Sequence, residues 1–139
     1  MKETLMAEAF KEAEKSSEPI KCGAVIVKDG AIIGRGFNRQ RLAHDVSAHA
    51  EINAIRNAGK QLKSKNLEGC SMYSTHEPCL MCLAAIAFAR ISRLNYAKAY
   101  EESWPNEKVR LPVEEFLEKT GYPFKAEQIR DAEKREITL

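Results

Sequence analysis

Apolar positions along this chain switch between a helical period and a strand period. Leu5, Met6, Ala9, Phe10 and Ala13 recur in steps of three and four, which predicts a helix over residues 2–15, broken by "SSEP" at 16–19. "CGAVIVKDGAIIGRGFN" (22–38) places two apolar, β-branched runs around Asp29-Gly30, a tight-turn pair, and predicts a hairpin. "RQRLAHDV" (39–46) reads as a loop, and a helix follows from Ala48 to Leu62 with Ile52, Ala54, Ile55 and Ala58 available for packing. "CSMYST" (70–75) is a short strand. Pro78 suits the first position of a helix reaching Arg90. Its interior, "LMCLAAIAFA", is apolar nearly all round, which predicts burial. "RLNYAKAY" (93–100) is another strand, and Trp104 and Pro105 sit in a loop. Residues 112–119 read as a helix ended by Gly121, "YPFKA" as a short strand and 126–136 as a polar helix. Strands alternating with helices predict an α/β fold, with a sheet covered by helices on both faces.

A chain of 139 residues suits one domain over 1–139 with one sizeable core. Its 22 basic and 20 acidic residues leave a net charge of +2, with no strong basic field, so nucleic acid is not the expected partner. No apolar run approaches the ~20 residues needed to span a bilayer. The opening "MKETLMAEAFKEAEK" lacks the apolar core of a secretory signal. A cytoplasmic, reducing location is the expectation, and the four cysteines then read as thiols or metal ligands before disulfides.

Two short stretches carry chemistry. "SAHAEINAI" (47–55) puts His49 and Glu51 two residues apart at a helix start. "HEPCLMCLAA" (76–85) puts Cys79 and Cys82 three apart on a helix, so both thiols share a face near the positive end of the helix dipole. Each has a plain reading: two buried core thiols, a surface or core histidine, a first-turn glutamate favoured by the dipole. Together they match the H-x-E and P-C-x-x-C pattern of zinc deaminases. Zinc held by one His and two Cys keeps its fourth tetrahedral position open for water. Bound zinc lowers the pKa of water from ~15.7 to around 7. Glu51, near but not on the metal, is then the candidate proton carrier. A closed structural zinc site completed by Cys70 or His76, in a binding module, is the reading from another class.

With "CGAVIVKDGAIIGRGFN", "HDVSAHAEINAIR", "YSTHEPCLMC" and "AAIAFARISRLNYA", about residues 22–97, the sequence resembles the cytidine deaminase superfamily, in the branch of guanine, tRNA adenosine and cytosine deaminases. The resemblance implies a three-layer α/β/α sandwich with a five-stranded mixed sheet, one zinc per subunit and a homodimer. It makes His49, Cys79 and Cys82 the zinc ligands and Glu51 the proton shuttle. It also implies that Asn38 contacts the base or its ribose, where the plain reading is a turn residue. Ala24 and Ala48 line the pocket on this reading. Phe88 stacks on a purine or belongs to the core, and Glu77 steadies the cysteine loop. The implied reaction is hydrolytic deamination of a small nucleobase or nucleoside. Guanine is the lead, and a pyrimidine or tRNA adenosine the alternative. The mixed charges of "AEQIRDAEKREITL" argue against RNA.

Overall fold

The structure, a computed structural model, describes residues 2–130. The first helix, α1 (Lys2–Ala13), buries Met6, Ala9 and Ala13. β1 (Gly23–Lys28) and β2 (Ala31–Phe37) form the expected hairpin. Asp29 and Gly30 both take positive φ, 50° and 79°, as a two-residue hairpin turn requires. The expected loop at 39–46 contains a four-residue helix, α2 (Gln40–Ala43). α3 (Ala50–Leu62), β3 (Ser71–His76), α4 (Leu80–Ala89) and β4 (Arg93–Lys98) follow. The expected strand end at 99–100 instead enters α5 (Tyr100–Ser103), because Glu102 reaches back to the Ala99 amide and caps it. α6 (Val113–Thr120) ends on Gly121 at φ 73°.

The strand expected at 122–126 appears as β5 (Lys125–Gln128), and residues 126–128 therefore do not begin a helix. β5 exists because it pairs with β4, Arg93 opposite Lys125 and Tyr96 opposite Gln128. The part of the expected terminal helix from residue 131 on lies outside the described residues.

The sheet runs β2-β1-β3-β4-β5. β1 is antiparallel to β2 and β3, while β3, β4 and β5 are parallel, so the sheet is mixed. Alternate residues of β1 face opposite layers. Ala24 and Ile26 join Ala50, Ala54, Leu83 and Ile86 of α3 and α4, whereas Val25 and Val27 join Met6 and Ala9 of α1. This is the three-layer α/β/α sandwich with a five-stranded mixed sheet that the sequence implied.

α3 sits unusually close to β2. Ala50, Ala54 and Ala58 are fully buried and repeat every four residues. They lie against Gly34 and Gly36, where a Cβ would collide with the α3 backbone at Ala54 and Ala50 respectively. Small residues on both sides let the two backbones approach, and this contact fixes where α3 begins. α4 departs from expectation. Cys82, Leu83, Ile86, Ala87 and Ala89 are buried, but Phe88 is 79% exposed, and Met81, Ala84 and Ala85 are only half-buried. The helix is apolar all round, yet the sheet covers one side of it.

Candidate active site

Two helix starts converge on one point, at the carboxyl end of β3. His49 is the extended cap residue of α3 and Cys79 that of α4, and neither side chain bonds back to its own helix. Pro78 therefore precedes the cap instead of opening the helix. The free side chains face each other. His49 Nδ1 lies 3.7 Å from Cys79 Sγ and 3.5 Å from Cys82 Sγ. All three ligand atoms fall within 4.8 Å of one another, and among the described residues no fourth His, Cys, Asp or Glu joins the group.

These residues fit zinc. Tetrahedral bonds of ~2.3 Å to sulfur and ~2.0–2.1 Å to nitrogen put S and N about 3.6 Å apart, the value the two observed distances bracket. Two thiolates and an imidazole are ligands of the right softness. Three protein ligands leave a tetrahedral position for water, as catalytic zinc sites do. Cys70 and His76 do not join the group, so the closed structural site lacks its fourth ligand. All four cysteines are free thiols.

The electrostatics make Cys79 the readier thiolate of the two cysteines. A hydrogen bond from Cys82, then one from His49, holds the Cys79 thiol well below its ordinary range against the opposing effect of burial. The same bond to Cys79, with burial, pushes Cys82 up. The bond to Cys79 raises His49. The N-termini of α3 and α4 add positive potential that favours thiolates.

Glu51, 6% exposed, is the second residue of α3 and lines a cavity of about 170 Å³ beside His49, Asn38 and Gln40. Burial raises its carboxyl above the ordinary range. Part of the same lining is a stack. His76 meets Trp104 edge-on at 5.2 Å, and the Arg110 guanidinium lies 4.1 Å over the Trp104 ring. Arg110 Nη1 donates to the Glu77 carbonyl at 2.8 Å. The Glu77 carboxylate accepts from the amides of Tyr100 at 3.1 Å and Val113 at 2.8 Å, the first residues of α5 and α6. Glu77 thus steadies the wall beside the cysteines, as its place in "HEPC" suggested.

The other expected pocket residues fare unequally. Asn38 lines the cavity and is buried, with Oδ1 accepting from the Cys22 amide at 2.9 Å and Nδ2 donating to the Ile20 carbonyl at 2.7 Å. One of its two N–H donors is thereby engaged. Ala24 and Ala48 are buried but do not line the cavity, whereas Cys22 and Ala50, each two residues away, do. Phe88 is neither a pocket wall nor core: it lies on the outward side of α4, against a separate cavity with Tyr122 and Phe124. Gln40 and Arg110 also line the cavity. Nothing in their local pattern marks them, and Arg110 reaches the wall from 33 residues beyond its partner Glu77.

The chain is similar to characterised deaminases. Over 94 residues, 68% of its length, it is 50% identical to a tRNA-specific adenosine deaminase of Agrobacterium fabrum (strain C58 / ATCC 33970), of which 60% is covered. With a guanine deaminase of Bacillus subtilis (strain 168) it shares 43% identity over 101 residues, 67% of the chain and 65% of that protein. The chain thus spans less than two thirds of the length of these relatives. A solved structure from biochemical and structural studies of A-to-I editing by tRNA:A34 deaminases superposes with a TM-score of 0.76 at 38% identity, covering 91% of this chain and 97% of that one. The model of the cytidine and deoxycytidylate deaminase zinc-binding region matches residues 1–98, from α1 through both helix starts to the end of β4, and the chain belongs to that family.

Proposed function

We propose that the protein is a zinc-dependent hydrolytic deaminase of an amino-substituted nucleobase or nucleoside, with guanine as lead substrate. The observation that carries this reading is the placement of Glu51, a buried carboxylate in a small cavity two residues from a ligand of a three-coordinate metal site. Zinc held by His49, Cys79 and Cys82 supplies, when bound, activation of water at neutral pH.

The chain's own residues do the rest. Glu51 takes a proton from water and gives it to the ring nitrogen beside the amine-bearing carbon as the hydroxide adds to that carbon. It then carries the proton of the added hydroxyl to the amine, the C–N bond breaks, and ammonia leaves an oxo group on the ring. Asn38 turns its remaining N–H toward the base or its ribose. The cavity excludes bulk water from the ring. Glu51→Ala is expected to abolish ammonia release while zinc stays bound. If the zinc-loaded wild type releases ammonia from none of guanine, cytosine, adenine, their nucleosides and a tRNA hairpin, the reading is wrong.

Adenosine in tRNA is the second reading, favoured by the 50% identity to a relative named as a tRNA-specific adenosine deaminase. It runs against the expectation that nucleic acid is not a partner, and the hairpin in the same panel separates the two. We also infer a homodimer through the outward side of α4, where Met81, Ala84, Ala85 and Phe88 leave apolar surface in water. Among the described residues no helix is long and apolar enough to cross a membrane.

A further inference from the structure

Buried polar atoms in folded proteins nearly always have a hydrogen-bond partner, and each exception calls for a reason. Among the described residues two buried side-chain atoms have none: Gln40 Oε1 and Arg110 Nε. They lie 70 residues apart in the sequence, yet both residues line the cavity that Glu51 and His49 line. One is an acceptor and the other a donor.

Each is held by structure around it. Gln40 begins α2, and the chain enters that helix through the Arg39 amide bound to the Ala48 carbonyl at 3.0 Å, just before His49. Arg110 has its guanidinium face on Trp104 and its Nη1 on the Glu77 carbonyl. Stacking fixes the plane and the Nη1 bond fixes its rotation, so the Nε edge is presented in one direction. A guanidinium edge suits an oxo group or ring nitrogen, while an amide oxygen suits an N–H.

We propose that Gln40 and Arg110 are specificity-determining residues that read the ring entering this cavity, Gln40 Oε1 accepting from a ring N–H and Arg110 Nε donating to a ring oxo group or ring nitrogen. The proposal rests on the deaminase reading above and names the substrate class of that site: an amino-oxo heterocycle of the guanine type. Guanine offers a ring N–H together with an oxo group and an unprotonated ring nitrogen. The base of adenosine has N–H donors only on the amine that leaves, so it gives the Gln40 oxygen no lasting partner. A site that hydrogen-bonds its substrate discriminates strongly against an analogue lacking the matching group.

The test compares zinc-loaded wild type with Gln40→Leu and Arg110→Met, using guanine and adenosine. Ammonia release gives kcat and KM. Trp104, the only tryptophan of the chain, lies in the cavity wall, so its fluorescence reports ring binding without turnover. Each variant is expected to lose about tenfold or more in kcat/KM on guanine, mostly through KM, and to weaken guanine binding by a similar factor. Adenosine is expected to change little in Gln40→Leu, because its base offers that oxygen no ring N–H, so the guanine-to-adenosine ratio falls there. Arg110→Met weakens both rings, since the ring nitrogens of adenosine also accept from Nε. That ratio does not depend on how much of a variant folds. An unchanged ratio in Gln40→Leu, undiminished guanine binding in Arg110→Met, or a wild type that prefers adenosine overturns the proposal while leaving the deaminase reading standing. If no ring releases ammonia but guanine quenches Trp104 and both variants lose that quenching, the deaminase reading fails and the ring-reading pair stands. No ammonia and no quenching overturns both.

Discussion

His49 and Cys79 each cap a different helix, and their side chains meet with Nδ1 3.7 Å from Sγ. Cap residues usually turn their side chains back onto the first amides of their own helix. Here neither does, so both are free to bind a metal. The positive ends of the two helix dipoles lie at the same place, where they favour thiolates. The metal site and the position of Glu51 follow from one arrangement, the convergence of α3 and α4.

If that arrangement holds zinc, His49→Ala and Cys82→Ser lose the metal, whereas Glu51→Gln keeps it. A ligand at a free concentration about 100 times its Kd stabilises the native state by roughly 2.7 kcal/mol. A chelator is therefore expected to lower the melting temperature of the wild type by several degrees and to leave His49→Ala unmoved. Stoichiometric zinc in purified His49→Ala, measured by elemental analysis, overturns the assignment.

The ligands were legible because their spacing is local. H-x-E and C-x-x-C lie within single helix starts, where three residues decide which side chains share a face. The walls of the cavity were not. Gln40 sits in a polar stretch that reads as a loop, and Arg110 arrives through α5 and the segment after it, a long-range contact without a local pattern. The exposure of Phe88 was hidden for another reason. An apolar run has the same pattern whether the sheet or another molecule covers it. β5, "KAEQ", turns only Ala126 and Gln128 partly inward and is a strand because β4 pairs with it.

The approach of α3 to β2 has separable consequences. A methyl group at Gly36 collides with the Ala50 carbonyl, next to His49, whereas one at Gly34 meets Ala54 and Ala58 farther along the helix. Overpacking of this kind costs typically ~1–3 kcal/mol. Gly34→Ala and Gly36→Ala are both expected to lower the unfolding free energy by that order, but Gly36→Ala alone displaces the start of α3 and weakens zinc affinity. Equal zinc affinities in the two variants, titrated with a competing chelator, count against this account.

Glu77 ties the cavity wall to the cysteine segment through two helix-start amides. Loss of one capping acceptor costs about 0.5–2 kcal/mol. Glu77→Ala, which loses both, is expected to cost roughly 2–3 kcal/mol, and Glu77→Gln, which keeps one acceptor oxygen, about half of that. Amide exchange at Tyr100 and Val113 should accelerate in Glu77→Ala, and Trp104 fluorescence should shift toward that of a wetter indole. Unchanged exchange at both amides shows that the wall stands without this carboxylate.

Phe88, 79% exposed, contributes little to the fold of one chain but much apolar area to any neighbour on α4. Phe88→Glu is expected to leave the stability of the chain within about 0.5 kcal/mol. If two chains pair through α4 as proposed, it is also expected to shift sedimentation from that of a dimer to that of a monomer. A wild type that sediments as a monomer at tens of micromolar (roughly the range where weak dimers form) removes the dimer from consideration.

His76 gives the fold a pH dependence with a definite sign. The side chain is buried, 5% exposed, and burial, followed by the charges of Lys98 and Arg110, holds its imidazole down to about 4 from an ordinary 6.5. Its Nδ1 lies 2.8 Å from the Thr75 hydroxyl, a pairing the neutral ring can make by accepting. Between pH 4 and 6.5 the unfolded chain binds a proton that the folded chain does not, so stability rises with pH across this window. The contribution is complete above about 6.5 and is lost as the pH falls toward 4; the whole step is at most about 3 kcal/mol. Glu51 and Glu77, raised by burial, act in the opposite direction, but equally in wild type and in His76→Gln. Urea unfolding of the two proteins at pH 7 and pH 4.5 therefore isolates the histidine. The wild type should lose more stability on acidification than the variant by roughly 1–3 kcal/mol, and equal losses would mean that His76 accepts its proton without leaving its buried site.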